Sequence, residues 1–104
     1  MCVRLIKPST LRQWSRRFAD AETALTVWQT LIEAGDFPHF TALRQVFPAA
    51  DQVTVESGRT VTVFNLRGNR YRLVAAVHYN RSLVYALRFL THADYSKDRW
   101  KDDL

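Results

Sequence analysis

The chain has 104 residues, of which 47% are hydrophobic and 24% are charged. The length is typical of one globular domain over residues 1–104 and leaves no room for a second domain. The hydrophobic and charged fractions argue against a disordered or collagen-like chain. Fifteen lysines and arginines against ten acidic residues give a net charge of +5, and twelve of the fifteen bases are arginines. Because arginine binds phosphate in bidentate fashion, nucleic acid is the first class of partner to consider.

The cysteine content and the hydropathy pattern limit where the protein acts. A single cysteine, Cys2, excludes an internal disulfide framework and fits a reducing compartment. No apolar run approaches the roughly 20 residues of a membrane span. The N-terminal apolar stretch is too short for a signal peptide. We therefore expect a cytoplasmic protein without a membrane partner.

The positive charge is concentrated in one segment. Residues 1–56 carry six bases and six acids, whereas residues 57–93 carry six arginines and no acid, a net charge of +6. Residues 94–104 carry three bases and four acids. A segment with such a charge raises the local concentration of a polyanion. A solvated basic face that only keeps the protein soluble would show the same charge.

The first half of the chain predicts a short strand followed by a helical hairpin. The strand covers residues 2–6, and the first helix covers residues 10–19 with Ser9 as its N-cap. Asp20 is expected to cap a second helix, which ends at Gly35. The apolar stripe of this second helix is formed by Ala24, Val27, Trp28, Leu31 and Ile32.

The second half changes to a strand pattern after one more short helix. That helix covers residues 41–46, with Thr41 as its cap, and stops before Pro48. Strands rich in β-branched and aromatic residues are expected at residues 51–55, 60–65, 70–79 and 83–91. The order of elements predicts an α+β domain in which the N-terminal strand and the helical hairpin accompany a mostly antiparallel sheet, with the helices packed on one face.

Alternation along the strand at residues 70–79 places Arg70 and Arg72 on the face opposite to Tyr71. A hairpin through residues 80–82 makes the last two strands antiparallel. Arg70 and Arg72 should therefore lie near His92, at one end of the sheet.

The same alternation assigns the side chains of the last strand to two faces. It groups Leu87 with Phe89 on one face. The other face is expected to carry Val84, Ala86, Arg88 and Leu90.

Three segments occur in an order that resembles a known family. They are residues 43–48 (LRQVFP), 64–75 (FNLRGNRYRLVA) and 89–97 (FLTHADYSK). They resemble the L-x-x-VFP, FN-x-x-GN-x-(Y)RLV and THxxY motifs of HigB-type toxins, which are mRNA interferases of the RelE superfamily of type II toxin–antitoxin systems. The similarity covers residues 9–100.

The resemblance implies both a fold and a function. The fold is RelE-like, with a helical hairpin packed on a curved antiparallel sheet. The activity is endonucleolytic cleavage of mRNA, usually on the ribosome, which inhibits translation. The implied partners are mRNA, the ribosome and a cognate HigA-like antitoxin with a helix-turn-helix domain.

RNA cleavage without a metal requires a proton acceptor for the 2′-hydroxyl, a proton donor for the 5′-oxygen and cations for the phosphate. The match to the YRL of the superfamily makes Arg72 the first candidate for stabilising the transition state, with Arg67 as a second arginine. His92 is the candidate acid or base. Tyr95, three residues later, shares its face if the tail is helical, and can transfer a proton or stack on a base. The residues predicted to bind RNA are Arg70, Asn69, Arg88 and Lys97.

Other interpretations remain open at this point. The same basic sheet suits a non-catalytic RNA- or ribosome-binding module, or a protein that only binds an acidic partner. Arg67 and Arg70 flank a turn, where polar residues are common, and Tyr95 is also suited to a core. Three scattered histidines and one cysteine show no metal-ligand spacing, so we expect no metal and no cofactor.

Overall fold

The computed structural model describes residues 4–6, 9–67, 70–97 and 99–103. In chain order, its helices are α1 (Ser9–Arg17), α2 (Glu22–Ala34), α3 (Phe40–Val46) and α4 (His92–Ser96). Its strands are β1 (Arg4–Ile6), β2 (Asp51–Thr54), β3 (Thr60–Leu66), β4 (Tyr71–His78) and β5 (Leu83–Thr91). Short 3₁₀ segments occur at Ala19–Ala21, Tyr79–Arg81 and Arg99–Asp103.

The strands form one sheet in the order β1-β5-β4-β3-β2. The four strands from β2 to β5 are antiparallel to their neighbours, and β1 adds to the edge of β5 in parallel. The predicted α+β architecture, with an N-terminal strand and a helical hairpin on a mostly antiparallel sheet, is confirmed. No helix in the described ranges is both long enough and apolar enough to cross a membrane.

The two faces of the sheet each cover a separate core. The helix-side core lies between the sheet and the helices, and its central members are Leu25, Trp28, Phe64, Leu73 and Phe89. The opposite-face core is smaller and consists of Val55, Val61, Val63, Val74 and Trp100. Alternation along β3 and β4 supplies both cores, because successive side chains of a strand point to opposite faces.

The apolar stripe of α2 differs from the prediction. Leu25, Trp28 and Ile32 are buried, whereas Val27 and Leu31 are 52% and 39% exposed. The predicted and observed stripes share Trp28 and Ile32, and Ala24 is partly buried against the same core. Tertiary packing selects the side of the helix that carries Leu25. The helix ends as predicted before Gly35, where an added Cβ atom would clash with the aromatic ring of Phe37.

The caps of α2 and α3 also differ from the predictions. The N-cap of α2 is Ala21, without a side-chain cap, so Asp20 does not cap this helix. The N-cap of α3 is His39 rather than Thr41, and its Nδ1 accepts a hydrogen bond from the Ala42 amide at 3.2 Å. The observed N-cap is thus one residue after the predicted cap in α2 and two residues before it in α3. Asp20 lies in the 3₁₀ segment before α2, and Thr41 lies within α3.

A β-bulge in β5 changes which side chains share a face. Val74 pairs with Arg88 and Ala75 pairs with Ala86, so Leu87 is an extra residue between two ladder positions. Strict alternation in β5 is therefore wrong, because a bulge places two residues opposite one and shifts the pattern. Leu87 and Leu90 pack against the opposite-face core, whereas the helix-side core receives Val84, Ala86 and Phe89.

The burial pattern predicts where the stability of the fold resides. Leu73 is fully buried in the helix-side core, so Leu73→Ala should lower the free energy of unfolding by about 2–5 kcal/mol. Val27 is 52% exposed, so Val27→Ala should change it by no more than about 0.5 kcal/mol. Urea denaturation with a common slope measures both values, and equal losses would contradict the placement of the core.

Candidate active site

The pairing of β4 with β5 brings the predicted site residues together. Arg72 lies opposite Leu90, and Tyr71 lies opposite Thr91. The His92 amide donates a hydrogen bond to the Arg70 carbonyl oxygen at 3.0 Å. The predicted convergence at this end of the sheet is therefore confirmed for Arg72 and His92. The prediction that the Arg70 side chain shares a face with Arg72 is wrong: Arg70 precedes β4, outside its alternation, and pairs with Asp20 on the side of Tyr71.

Arg72 lies on the opposite face of the sheet from α1, α2 and α3, and it is only 8% exposed. Its Nη1 atom donates a hydrogen bond to the Tyr71 carbonyl oxygen at 3.3 Å. Its Nη2 atom is 3.5 Å from His92 Nδ1, and its Cζ atom lies 5.4 Å from the centroid of the Tyr95 ring. The structure thus brings Arg72, His92 and Tyr95 together.

The charge of Arg72 is incompletely compensated within the described part of the chain. Ion pairs of Asp20 and Asp94 are formed there, and Arg72 takes part in none of these. A buried cation is costly unless it is paired, and a cation–π contact offsets only part of this cost. The site therefore favours an anion that approaches the guanidinium beside His92.

The 3.5 Å contact between Arg72 Nη2 and His92 Nδ1 is compatible with one tautomer of the neutral imidazole. A guanidinium has only donor groups, so a hydrogen bond between them needs an unprotonated Nδ1 atom. Neutral His92 then carries its proton on Nε2. Since the His92 side chain is exposed, that proton can face a bound substrate.

Tyr95 lies on α4, so the expected helical tail is confirmed. The helix begins where β5 ends, and its N-cap Thr91 accepts a hydrogen bond from the Asp94 amide at 3.2 Å. The Tyr95 ring stacks on Trp100, with 5.4 Å between ring centroids and 18° between the planes. Trp100 also donates its indole N–H to the Tyr95 carbonyl oxygen at 3.1 Å.

A shallow pocket of about 270 Å³ contains two of the residues predicted to bind RNA. Arg88 is held by a 2.8 Å hydrogen bond from its Nη1 atom to the Leu87 carbonyl oxygen. Lys97 Nζ lies 4.0 Å from Asp94 Oδ1. Leu90, which pairs with Arg72, also lines the pocket, so the pocket adjoins the Arg72 site. The full lining consists of Arg88, Leu90, Asp94, Lys97, Arg99 and Trp100.

Arg67 and Arg70 lie in a different cluster, at the carboxylate of Asp20. Arg67 Nη1 is 3.6 Å from Asp20 Oδ2 and also donates to the Asp20 carbonyl oxygen. Arg70 Nη1 is 3.8 Å from the same carboxylate oxygen. Asn69 lies outside the described residues. The structure therefore ties both arginines to the helical hairpin, and their roles toward RNA stay predictions.

The carboxylate of Asp20 has a third partner, the hydroxyl of Tyr71. This hydroxyl donates to Asp20 Oδ1 and Oδ2 at 2.7 and 2.9 Å. The hydrogen bond lowers the pKa of Asp20, and the charges of Arg70 and Arg67 add to this effect while burial opposes it. The same hydrogen bond, with burial, raises the pKa of Tyr71. This cluster fastens the turn between α1 and α2 to the beginning of β4.

Sequence reasoning missed two residues of this region, Asp20 and Trp100. The sequence predicts Asp20 as a helix cap, whereas its carboxylate contacts three side chains that follow some 50 positions later in the chain. Trp100 is 4% exposed and stands within a charged tail. A tryptophan among lysines and aspartates was the signal that could have identified it, because such a side chain usually packs against a core.

The sequence is similar to one family of toxins and to three proteins of known name. A sequence model named HigB_toxin, described as a RelE-like toxic component of a toxin-antitoxin system, matches residues 21–98. The mRNA interferase toxin HigB of Escherichia coli K12 is 29% identical over 91 residues, covering 88% of this chain and 86% of that protein. The mRNA interferases HigB of Escherichia coli O157:H7 and Shigella flexneri match with the same values. Residues 21–98 include Arg72, His92 and Tyr95 and end before Trp100.

The lowered pKa of Asp20 predicts a specific acid sensitivity. Because the folded chain favours the ionised carboxylate, this group stabilises the fold above its usual pKa, about pH 4, and the stabilisation is lost as pH falls through the lowered value. Asp20→Asn should therefore lower the free energy of unfolding at neutral pH. Below about pH 4 the difference between the two proteins should shrink.

Urea denaturation of both proteins in steps from neutral pH to about pH 2 measures this difference. The Asn side chain keeps an acceptor for the Tyr71 hydroxyl but carries no charge. A difference in stability that is independent of pH would show that the charge of Asp20 contributes nothing.

Proposed function

Because the chain belongs to the HigB family of RelE-like toxic components of toxin–antitoxin systems, we propose that it is an endoribonuclease that cleaves mRNA and so inhibits translation. The relatives named mRNA interferase support this activity. The single observation that carries the proposal is the guanidinium of Arg72. It is buried without a described carboxylate partner and lies beside a histidine and a tyrosine.

The chemistry needs only the RNA and these side chains. The 2′-oxygen loses its proton and forms a bond to the adjacent phosphorus, the bond from phosphorus to the 5′-oxygen breaks, and the 5′-oxygen gains a proton. The products are a 2′,3′-cyclic phosphate and a 5′-hydroxyl end. Arg72 stabilises the charge that develops on the phosphoryl oxygens, because its donors are oriented before the reaction begins.

His92 and Tyr95 complete the catalytic group. The exposed His92 imidazole transfers a proton as acid or base, and imidazole is suited to both roles near neutral pH. The Tyr95 ring lies under the guanidinium and keeps it aligned with the phosphate. Among the residues that the structure describes, no group of three or more His, Cys, Asp or Glu side chains is placed to hold a metal ion.

The pocket beside Arg72 extends the proposed site along the RNA. Arg88 and Lys97 line it and bind the phosphates next to the cleaved one. Arg67 and Arg70 lie near the same end of the sheet and, with Asn69, complete the set of residues proposed to bind RNA. Arg67 and Arg70 also hold Asp20, so their replacement would affect both stability and RNA binding.

The chain acts as one domain with three partners. As a member of a toxin–antitoxin family, it has an antitoxin and mRNA as its partners. The antitoxin is HigA-like, with a helix-turn-helix domain, and the mRNA is cleaved on the ribosome, which places the protein in the cytoplasm. A gene for a small helix-turn-helix protein directly beside this gene would support the first of these statements.

The activity is tested with purified protein and mRNA-programmed ribosomes. Arg72→Ala should lower the cleavage rate by about 100-fold or more, because it removes the charge that stabilises the transition state. A 2′-deoxynucleotide at the cleaved position should abolish cleavage by the wild type, because the attacking oxygen is absent. Primer extension locates the new 5′ ends.

Arg59→Ala is the matched control. Arg59 belongs to the same basic segment but is exposed near the β2–β3 turn, so its loss should leave the rate unchanged. Thermal unfolding establishes that the Arg72 variant remains folded. Cleavage at the same rate by a folded Arg72→Ala protein would refute the assignment, and binding without any cleavage by the wild type would identify a non-catalytic RNA-binding module.

A further inference from the structure

We propose that Trp100 is a positioning residue of this site, and that it acts by holding the Tyr95 ring beneath the Arg72 guanidinium. The inference rests on the proposed function and deepens it, because it makes the C-terminal 3₁₀ segment part of the site. Residue 100 lies outside the segment that the family model matches, residues 21–98. The role is therefore assigned from the contacts of this chain alone.

Trp100 fixes Tyr95 by two separate contacts. The two rings are stacked, with 5.4 Å between centroids and 18° between planes. The indole N–H donates to the Tyr95 carbonyl oxygen at 3.1 Å, which also fixes the backbone of α4. Because α4 has only five residues, it is too short to be stable by itself and depends on such tertiary contacts.

Trp100 is in turn anchored to the sheet. Its side chain is 4% exposed and packs in the opposite-face core with Val55, Val61, Val63 and Val74. The Glu56 amide donates to the Lys101 carbonyl oxygen at 3.1 Å, which fastens the 3₁₀ segment to the β2–β3 connection. The position of the Tyr95 ring is thus determined by the rigid sheet through Trp100.

The consequence for catalysis follows from the contact between Tyr95 and Arg72. The Arg72 Cζ atom lies 5.4 Å from the Tyr95 ring centroid. Displacement of the ring would therefore break the cation–π contact with the guanidinium. A small displacement of a catalytic group lowers the rate of the chemical step. Loss of Trp100 should therefore lower the cleavage rate more than it weakens RNA binding.

Three variants separate positioning from stability. Trp100→Leu keeps an apolar side chain but removes the stack and the N–H donor, whereas Trp100→Phe keeps one aromatic ring for the stack and removes the donor together with the second ring. Val61→Ala is the matched control for stability: it removes a buried group from the same core, and Val61 lies four residues along β3 from Asn65, which pairs with Arg72.

The experiment combines single-turnover cleavage, affinity for an RNA with a 2′-deoxy cleavage position, and NMR of the Arg72 side chain. Trp100→Leu should lower the single-turnover rate about tenfold or more and change the affinity by less than about twofold. Trp100→Phe should keep the rate within about threefold of the wild type. The ring-current shift of the Arg72 protons should persist in Trp100→Phe and disappear in Trp100→Leu.

The outcomes separate this inference from the proposed function. A folded Trp100→Leu protein with the wild-type rate and the wild-type Arg72 shift would overturn the inference. A rate loss matched by Val61→Ala at equal thermal stability would also overturn it, since the role would then be structural. If the wild type cleaves no RNA, the proposed function fails, while the Arg72 shift still decides whether Trp100 positions the ring.

Discussion

The pairing register of β4 with β5 is the constraint on which the site depends. It places Arg72 opposite Leu90 and lets the Arg70 carbonyl accept the His92 amide, so that α4 begins beside the arginine. A slip of one residue would move every side chain of β4 to the other face. Arg72 would then enter the helix-side core, and Leu73 would leave it. Burial of the apolar side chains on both faces therefore fixes the position of Arg72.

The basic segment divides into two groups with different partners. Arg67 and Arg70 are paired with Asp20 at the turn that joins the helices to the sheet. Arg72 and Arg88 lie on the other face, where their described hydrogen bonds include backbone carbonyl oxygens. Carbonyl partners orient a guanidinium without neutralising its charge. The second group is thus held in place yet keeps its attraction for phosphate, and this makes that face suitable for RNA.

Much of this arrangement was predictable from local patterns, and the failures have identifiable causes. The alternation in β4 correctly predicts that Arg72 and Tyr71 point to opposite faces of the sheet. It holds because this strand has no bulge and packs a core on each face. Alternation fails in β5, because the bulge at Leu87 is set by pairing with β4 and cannot be identified from the hydrophobic pattern of β5. The sequence does not reveal the roles of Asp20 and Trp100, because the tertiary fold sets their partners. Three partners of Asp20 are distant in sequence, and Trp100 contacts Tyr95 and the valines of the opposite-face core.

We infer that Arg72 and His92 form the centre at which mRNA is cleaved. A map of mRNA 5′ ends in cells tests this inference. The cells briefly express the wild type or Arg72→Ala/His92→Ala, and the two proteins are compared at equal amounts of folded protein. We expect new 5′ ends within translated reading frames for the wild type and none for the double variant. Growth arrest by the wild type without new ends, or the same ends with the double variant, would contradict it.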